Sequence, residues 1–189
     1  MYLWKRIIEQ KIKNQANVLK IINKNSRYEQ LLDYAASVLM GDETNREGHS
    51  AKVYFNCLFG KSFNRKENNE INKYLNYGYS ILLSVINREI KILGYLTELG
   101  IHHIGESNSF NLSCDFIEPL RSLVDLLVIT NQVNEQNFKQ VFIELLTRKV
   151  LYNDKELFLD NAIHLMVEDW ISYMVTGEEE KIKFINYEN

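Results

Sequence analysis

The stretch "YLWKRIIEQKIKNQANVLKIINK", residues 2–24, decides the fold class. Leu3, Ile7, Ile8, Ile12, Leu19 and Ile22 form a helical stripe, with lysines opposite. Outward from it the chain has little punctuation: one proline, at 119, and eight glycines in 189 residues. That composition favours long helices over a sheet. Residues 27–40 predict a second helix through Tyr28, Leu31, Leu32, Ala35 and Leu39, with Ser26 as its cap. Asp42 to Asn45 supply caps for a third, about 45–59, which ends at Gly60. "KSFNRKE", 61–67, reads as a basic loop, and a long helix over about 68–93 stops at Gly94. "LGIHHIGESNSFN", 99–111, has two glycines and no sustained period, so it reads as a loop. Helices follow at about 112–130, 135–148 and 156–176. The charged tail, 177–189, is expected to fray. With no internal repeat and no domain boundary, the expectation is an all-α fold, a single helical bundle over residues 1–189.

Length and composition fit one ordinary domain with a real core: 46% of residues are hydrophobic and 25% charged. No apolar run approaches the ~18 residues that a membrane span needs. The amphipathic start lacks the apolar segment and small-residue cleavage site of a signal peptide. Cys57 and Cys114 lack C-x-x-C spacing, which points to a reducing compartment, no zinc site and a cytoplasmic location. A net charge of −3 alone argues against a nucleic-acid partner. Its distribution changes that reading, because residues 1–75 carry +5 and residues 76–189 carry −8. The asymmetry is compatible with a basic face on an acidic protein.

Three residues stand in local sequences that look built to hold them. Glu47 lies in "NREGHSAKVYF" (45–55), His103 ends "YLTELGIHH" (95–103), and Glu118 lies in "LSCDFIEPLRSLVD" (112–125), three residues after Asp115. Two carboxylates and an imidazole make a mixed oxygen and nitrogen donor set that suits Mn²⁺ or Mg²⁺. Thr44-x-x-Glu47 also reads as a capping box. Gly48, just inside the helix, suggests close approach by another group. His102 and His103 are adjacent, and the residues by themselves leave open which one is used. There is no convincing Ser/His/Asp or Cys/His set and no Gly-rich phosphate loop.

Four blocks follow one another in order: "NREGHSAKVYF", "INKYLNYGYSIL" (71–82), "LGIHH" (99–103) and "DFIEPLRSLVD" (115–125). Together they resemble the CRISPR-associated spacer integrase, the first of the Cas proteins, in its type II-A form. The resemblance runs from the first helix to about residue 176. It implies an all-α catalytic domain with Glu47, His103 and Glu118 as catalytic ligands of Mn²⁺ or Mg²⁺, and Asp115 as an acidic position beside them. The implied substrate is double-stranded DNA, both spacer precursor and repeat, and the implied partner is a small CRISPR adaptation subunit bridging integrase dimers. The implied chemistry is attack of a DNA 3′-hydroxyl on a repeat phosphodiester, with no nucleotide cofactor.

Arg46, Lys52, Lys61, Arg65, Lys66 and Arg121 are the candidates for phosphate contacts, and the F-x-R of "KSFNRK", which resembles the family's loop, favours Arg65. Tyr74, Tyr77 and Tyr79 look like a base-stacking set, with Tyr79 read as core. The family carries a β-rich N-terminal domain that helps build its homodimer, whereas this chain starts in the first catalytic helix. The expectation is therefore a fragment or truncated product that folds but lacks its dimer scaffold. Two rival readings are a metal-dependent nuclease on branched DNA and an inactive scaffold that binds DNA or a partner.

Overall fold

The structure, a computed structural model, describes residues 1–22 and 27–187. Its helices are α1 (Tyr2–Ile21), α2 (Arg27–Ala36), α3 (Arg46–Phe59), α4 (Glu70–Ile92), α5 (Asn111–Ile117), α6 (Arg121–Thr130), α7 (Phe138–Ile143) and α8 (Leu159–Thr176). One antiparallel hairpin joins β1 (Lys149–Tyr152) to β2 (Lys155–Phe158). The fold is all-α, as the sequence reading expected, with this hairpin as its only sheet among the described residues. The Ser26 cap and the last two residues of the predicted first helix lie outside the described residues. No described helix is long and apolar enough to cross a membrane. Within the chain the contacts group into two compact units. One comprises 1–77 and 118–134, the other 78–117 and 135–189.

The first unit is organised around α1, which touches α2, α3, α6 and the 3₁₀ turn Glu118–Leu120. Leu3, Trp4, Ile7, Ile8, Ile12, Ala16, Val18 and Leu19 are buried, so the apolar stripe is the core face. Lys11 is a correction: expected with the lysines on the solvated face, it is only 9% exposed. Asn14 and Gln15 are buried beside it in the chain. Across the unit, the Tyr54 hydroxyl donates to the buried Asp125 carboxylate at 2.9 Å.

The predicted helix over 112–130 is broken. Pro119 lacks an N–H and clashes with the preceding turn, so α5 tightens into the 3₁₀ turn Glu118–Leu120 before α6 begins. The Asn14 side chain donates to the buried Pro119 carbonyl at 2.7 Å, tying α1 to this turn.

The second unit packs its elements around α8. The Trp170 ring meets Phe116 and Phe184 edge-on, with centroids 5.0 and 5.3 Å apart. The helix expected at 135–148 is corrected here, while the one expected at 156–176 is α8, which begins at Leu159. α7 is only six residues long, and residues 149–158 form the hairpin instead. Val150, Leu151 and Tyr152 suit a strand, and Asn153 and Asp154 adopt φ of 52° and 61°, the left-handed pair that closes a two-residue turn. The tail also departs from expectation. Leu151 and Asn186 exchange backbone hydrogen bonds of 2.7 and 2.8 Å, Trp170 donates to the Lys183 carbonyl, and Ile182 and Ile185 are buried. Apolar residues spaced among its charges hold the segment down.

Tyr54→Phe removes a buried donor from Asp125 without changing shape. Its unfolding free energy, read from the urea midpoint, should fall by about 1–3 kcal/mol.

Candidate metal centre

Glu47 stands at the start of α3, and the chain before it frees its carboxylate from capping. The Asp42 carboxylate accepts from the backbone N–H groups of Arg46 (2.8 Å) and Glu47 (2.9 Å). Asn45, in the left-handed region at φ 51°, is the N-cap and accepts from Gly48 N–H at 3.1 Å. The cap is therefore Asn45 with Asp42, and Thr44 is not the capping residue. Gly48 is explained by the same cap, since a Cβ there would lie 2.6 Å from the Asn45 side-chain oxygen. The group that approaches closely is the cap itself.

With those donors satisfied, the Glu47 side chain reaches Lys11, which lies 2.5 Å from Glu47 Oε1 and 2.5 Å from Glu118 Oε2. The other Glu118 oxygen accepts from Arg121 Nε at 2.9 Å. The Glu118 side chain is 5% exposed, Lys11 11% and Glu47 29%. Burial alone would push the Glu118 carboxyl up, but Lys11 and Arg121 outweigh it and hold it at about 2. Burial likewise works against the Lys11 ammonium, yet Glu118 and then Glu47 leave it above the usual lysine value. Two carboxylates from separate elements thus converge on one cation, and that cation is a lysine.

In the second unit, Asp115 builds a nest for the His103 loop. Its side chain is fully buried. Oδ2 accepts from the N–H groups of Ile101 (2.5 Å) and His102 (3.0 Å), while Oδ1 accepts from His103 N–H (3.1 Å) and contacts His103 Nδ1 at 2.7 Å. The structure therefore distinguishes the two histidines: Asp115 grips the ring of His103, and the His102 ring lies exposed. An Nδ1–H donated to Asp115 leaves the lone pair of a neutral ring on Nε2, the tautomer of a metal-binding histidine. Gly100 is required here because a Cβ would collide with the His103 carbonyl and come within 2.9 Å of Asp115 Oδ2. One turn earlier on α5, Asn111 Nδ2 donates to the carbonyls of Glu98 and Gly105, both at 2.9 Å, and closes the loop at its two ends.

Among the described residues, no group of three or more His, Cys, Asp or Glu side chains is placed to hold a metal ion. Glu47 and Glu118 share Lys11 in one unit, and His103 is held by Asp115 in the other. Glu47 and Glu118 carry carboxylate oxygens, the donor type that hard divalent ions prefer, and His103 carries an imidazole oriented through a carboxylate.

Residues 1–157 match the family model of the CRISPR associated protein Cas1. The chain belongs to the Cas1 family. It is 45% identical over 127 residues to the CRISPR-associated endonuclease Cas1 of Neisseria meningitidis serogroup C (strain 8013), covering 67% of this chain and 42% of that relative. It is 29% identical to CRISPR-associated endonuclease Cas1 1 of Francisella tularensis subsp. novicida (strain U112), covering 92% and 63%. The chain thus spans about half the length of these curated relatives. Its fold is similar to a casposase bound to integration product (TM-score 0.77, 24% identity, 94% of this chain and 64% of that one). It is also similar to a Cas1 protein from Thermotoga maritima (TM-score 0.76, 17% identity, 92% and 65%).

The remaining Cas1-type candidates are placed unevenly. Arg65 hydrogen-bonds the side chains of Asn72 and Asn76 and lies 5.8 Å over the Phe55 ring, so it pins the loop before α4. Arg121 is engaged with Glu118. Arg46 lies 5.5 Å over the Tyr34 ring. Lys52, Lys61 and Lys66 are exposed. Tyr79 is core as expected, but Tyr74 is also buried, which leaves Tyr77 as the exposed member of the proposed stacking set. Sequence reasoning missed Lys11 and Asn111. A lysine at 11 interrupting an isoleucine stripe, and Asn111 four residues before Asp115, were the available signals.

Asp115→Ala should leave the three loop N–H groups unsatisfied. Amide exchange at 101–103 should accelerate about tenfold or more while α8 stays protected, as hydrogen-exchange mass spectrometry can read. The low Glu118 value also sets a pH window. A carboxyl whose value falls on folding stabilises the fold above its unfolded value near 4.5, and that contribution is lost as pH drops toward 2. The stability gap between wild type and Glu118→Gln should therefore be constant above about pH 5 and close on acidification.

Proposed function

We propose that this chain is the catalytic domain of a Cas1-type DNA integrase, which joins a DNA 3′ end to a repeat strand by transesterification. The single observation that carries this reading is the convergence of Glu47 and Glu118 on one cation position. The Asp115-held His103 supports it from the second unit. Glu47, His103 and Glu118 are the residues that would hold a Mn²⁺ or Mg²⁺ ion, which would supply Lewis acidity at the scissile phosphate and charge stabilisation at the reacting 3′ oxygen. Asp115 holds the His103 ring, and the backbone N–H groups of residues 101–103 hold the Asp115 carboxylate in place. Arg121 orients Glu118 and keeps it charged. The nucleophile is the 3′-hydroxyl of the incoming DNA, so the chain needs no serine or cysteine of its own.

Double-stranded DNA is the proposed substrate, as spacer precursor and as repeat. A fold relative at a TM-score of 0.77 is bound to an integration product, and another, at 0.64, belongs to a Cas6-RT-Cas1–Cas2 complex. By extension we assign this chain a small adaptation subunit as partner and a homodimer as its working form. Exposed Lys52, Lys61 and Lys66 supply salt-dependent attraction to phosphates.

A strand-transfer assay run beside DNA binding at two salt concentrations tests the assignment. His103→Ala and Glu47→Gln should each reduce joining by roughly 100-fold or more. DNA affinity should change less than about threefold and weaken with salt in wild type and variants alike. Equal losses of binding and joining would overturn the division of roles.

A further inference from the structure

A lysine in an apolar core needs a reason. On α1, Lys11 falls in the same buried stripe as Ile7, Ile8 and Ile12 and is only 9% exposed. An aliphatic residue there would extend the stripe with no charge to desolvate. Instead the ammonium meets two carboxylates, 36 and 107 residues away in sequence, at 2.5 Å each. The second Glu118 oxygen is already taken by Arg121. Two negative and two positive charges therefore balance, and Lys11 and Arg121 hold both carboxylates in place.

The same Glu47 and Glu118 oxygens are those that the metal reading above needs. Mg²⁺ demands oxygen ligands at about 2.1 Å and Mn²⁺ favours the same hard donors. An ammonium bonded to both oxygens takes the position of such an ion, and two cations sharing one oxygen pair repel each other. We propose that Lys11 is the site's built-in occupant: its ammonium keeps Glu47 and Glu118 converged before metal arrives, and a divalent ion must displace it. Loading is then an exchange rather than an addition. It favours divalent over monovalent ions, because only a higher charge repays both carboxylates for the lost lysine. The exchange opens on the Glu47 side, where the side chain is 29% exposed against 5% for Glu118. Lys11 thus sets metal affinity and is a positioning residue for the two ligands.

The inference rests on the metal-site reading, and the test separates the two. Mn²⁺ binding is measured by calorimetry on wild type, Lys11→Met, Glu118→Gln and, as a control, Lys13→Met on the exposed side of α1. Lys11→Met should bind Mn²⁺ about tenfold or more tightly than wild type, the worth of one charge-assisted hydrogen bond. Its metal-free melting temperature should fall and be restored by Mn²⁺. Lys13→Met should match wild type in both. If Glu118→Gln binds Mn²⁺ as wild type does, the metal reading itself fails. If Glu118→Gln loses binding while Lys11→Met binds no tighter than wild type, the exchange alone fails. A wild-type measurement covers the case in which Lys11→Met does not fold. Amine acylation read by mass spectrometry should find Lys11 protected without metal and modified at saturating Mn²⁺. Protection that persists at saturation overturns the proposal.

Discussion

Neutralising a carboxylate in a nearly closed interior constrains the first unit more than any other requirement. Glu118 is 5% exposed, and an unpaired charge there would be untenable. Lys11 and Arg121 answer it from opposite chain directions, one from α1 and one from the next turn of its own segment. Lys11 then recruits Glu47, whose position depends on the cap that Asn45 and Asp42 build at the start of α3. The broken helix at Pro119 belongs to the same arrangement, because Asn14, one turn beyond Lys11 on α1, bonds the buried Pro119 carbonyl. The apolar stripe of α1 supplies the adhesion, and the polar interruption at Lys11 and Asn14 supplies the register. Stability and site geometry therefore share residues.

The second unit solves a different problem, that of holding an irregular loop still. The segment between α4 and α5 has no regular backbone pairing, so its N–H and C=O groups need side-chain partners. Asp115 and Asn111, both on the first turns of α5, supply them: one takes three successive amides and the other bridges two carbonyls. A buried carboxylate surrounded by donors is rigid, and it passes that rigidity to the imidazole bonded to it. Gly100 gives up its side chain so that this approach can be close.

Much of this was legible in the residues. The α1 stripe, the loop at 99–111 and the stops at Gly60 and Gly94 rest on short-range patterns, and the structure keeps them. Glu47, His103, Glu118 and Asp115 were marked by the motifs around them. Other features were misread for physical reasons. The expected helix over 135–148 shrinks to the six residues of α7, and the hairpin at 149–158 went unread, although β-branched and aromatic neighbours around Asn153–Asp154 favour a tight turn. The tail looks frayed by charge, yet Ile182 and Ile185 find a core.

By itself the sequence determined the helical class, the order of the helices and the membership of the Cas1 family, because periodicity and motif spacing are local properties of a chain. Only the tertiary structure decided which polar groups meet. Lys11 is one lysine among several on an amphipathic helix until carboxylates 36 and 107 residues away close on it. His102 and His103 are equivalent until a carboxylate twelve residues after His103 bonds one ring. Such pairings are set by how elements pack, and the energy of a buried charge depends on every group that packing brings near it.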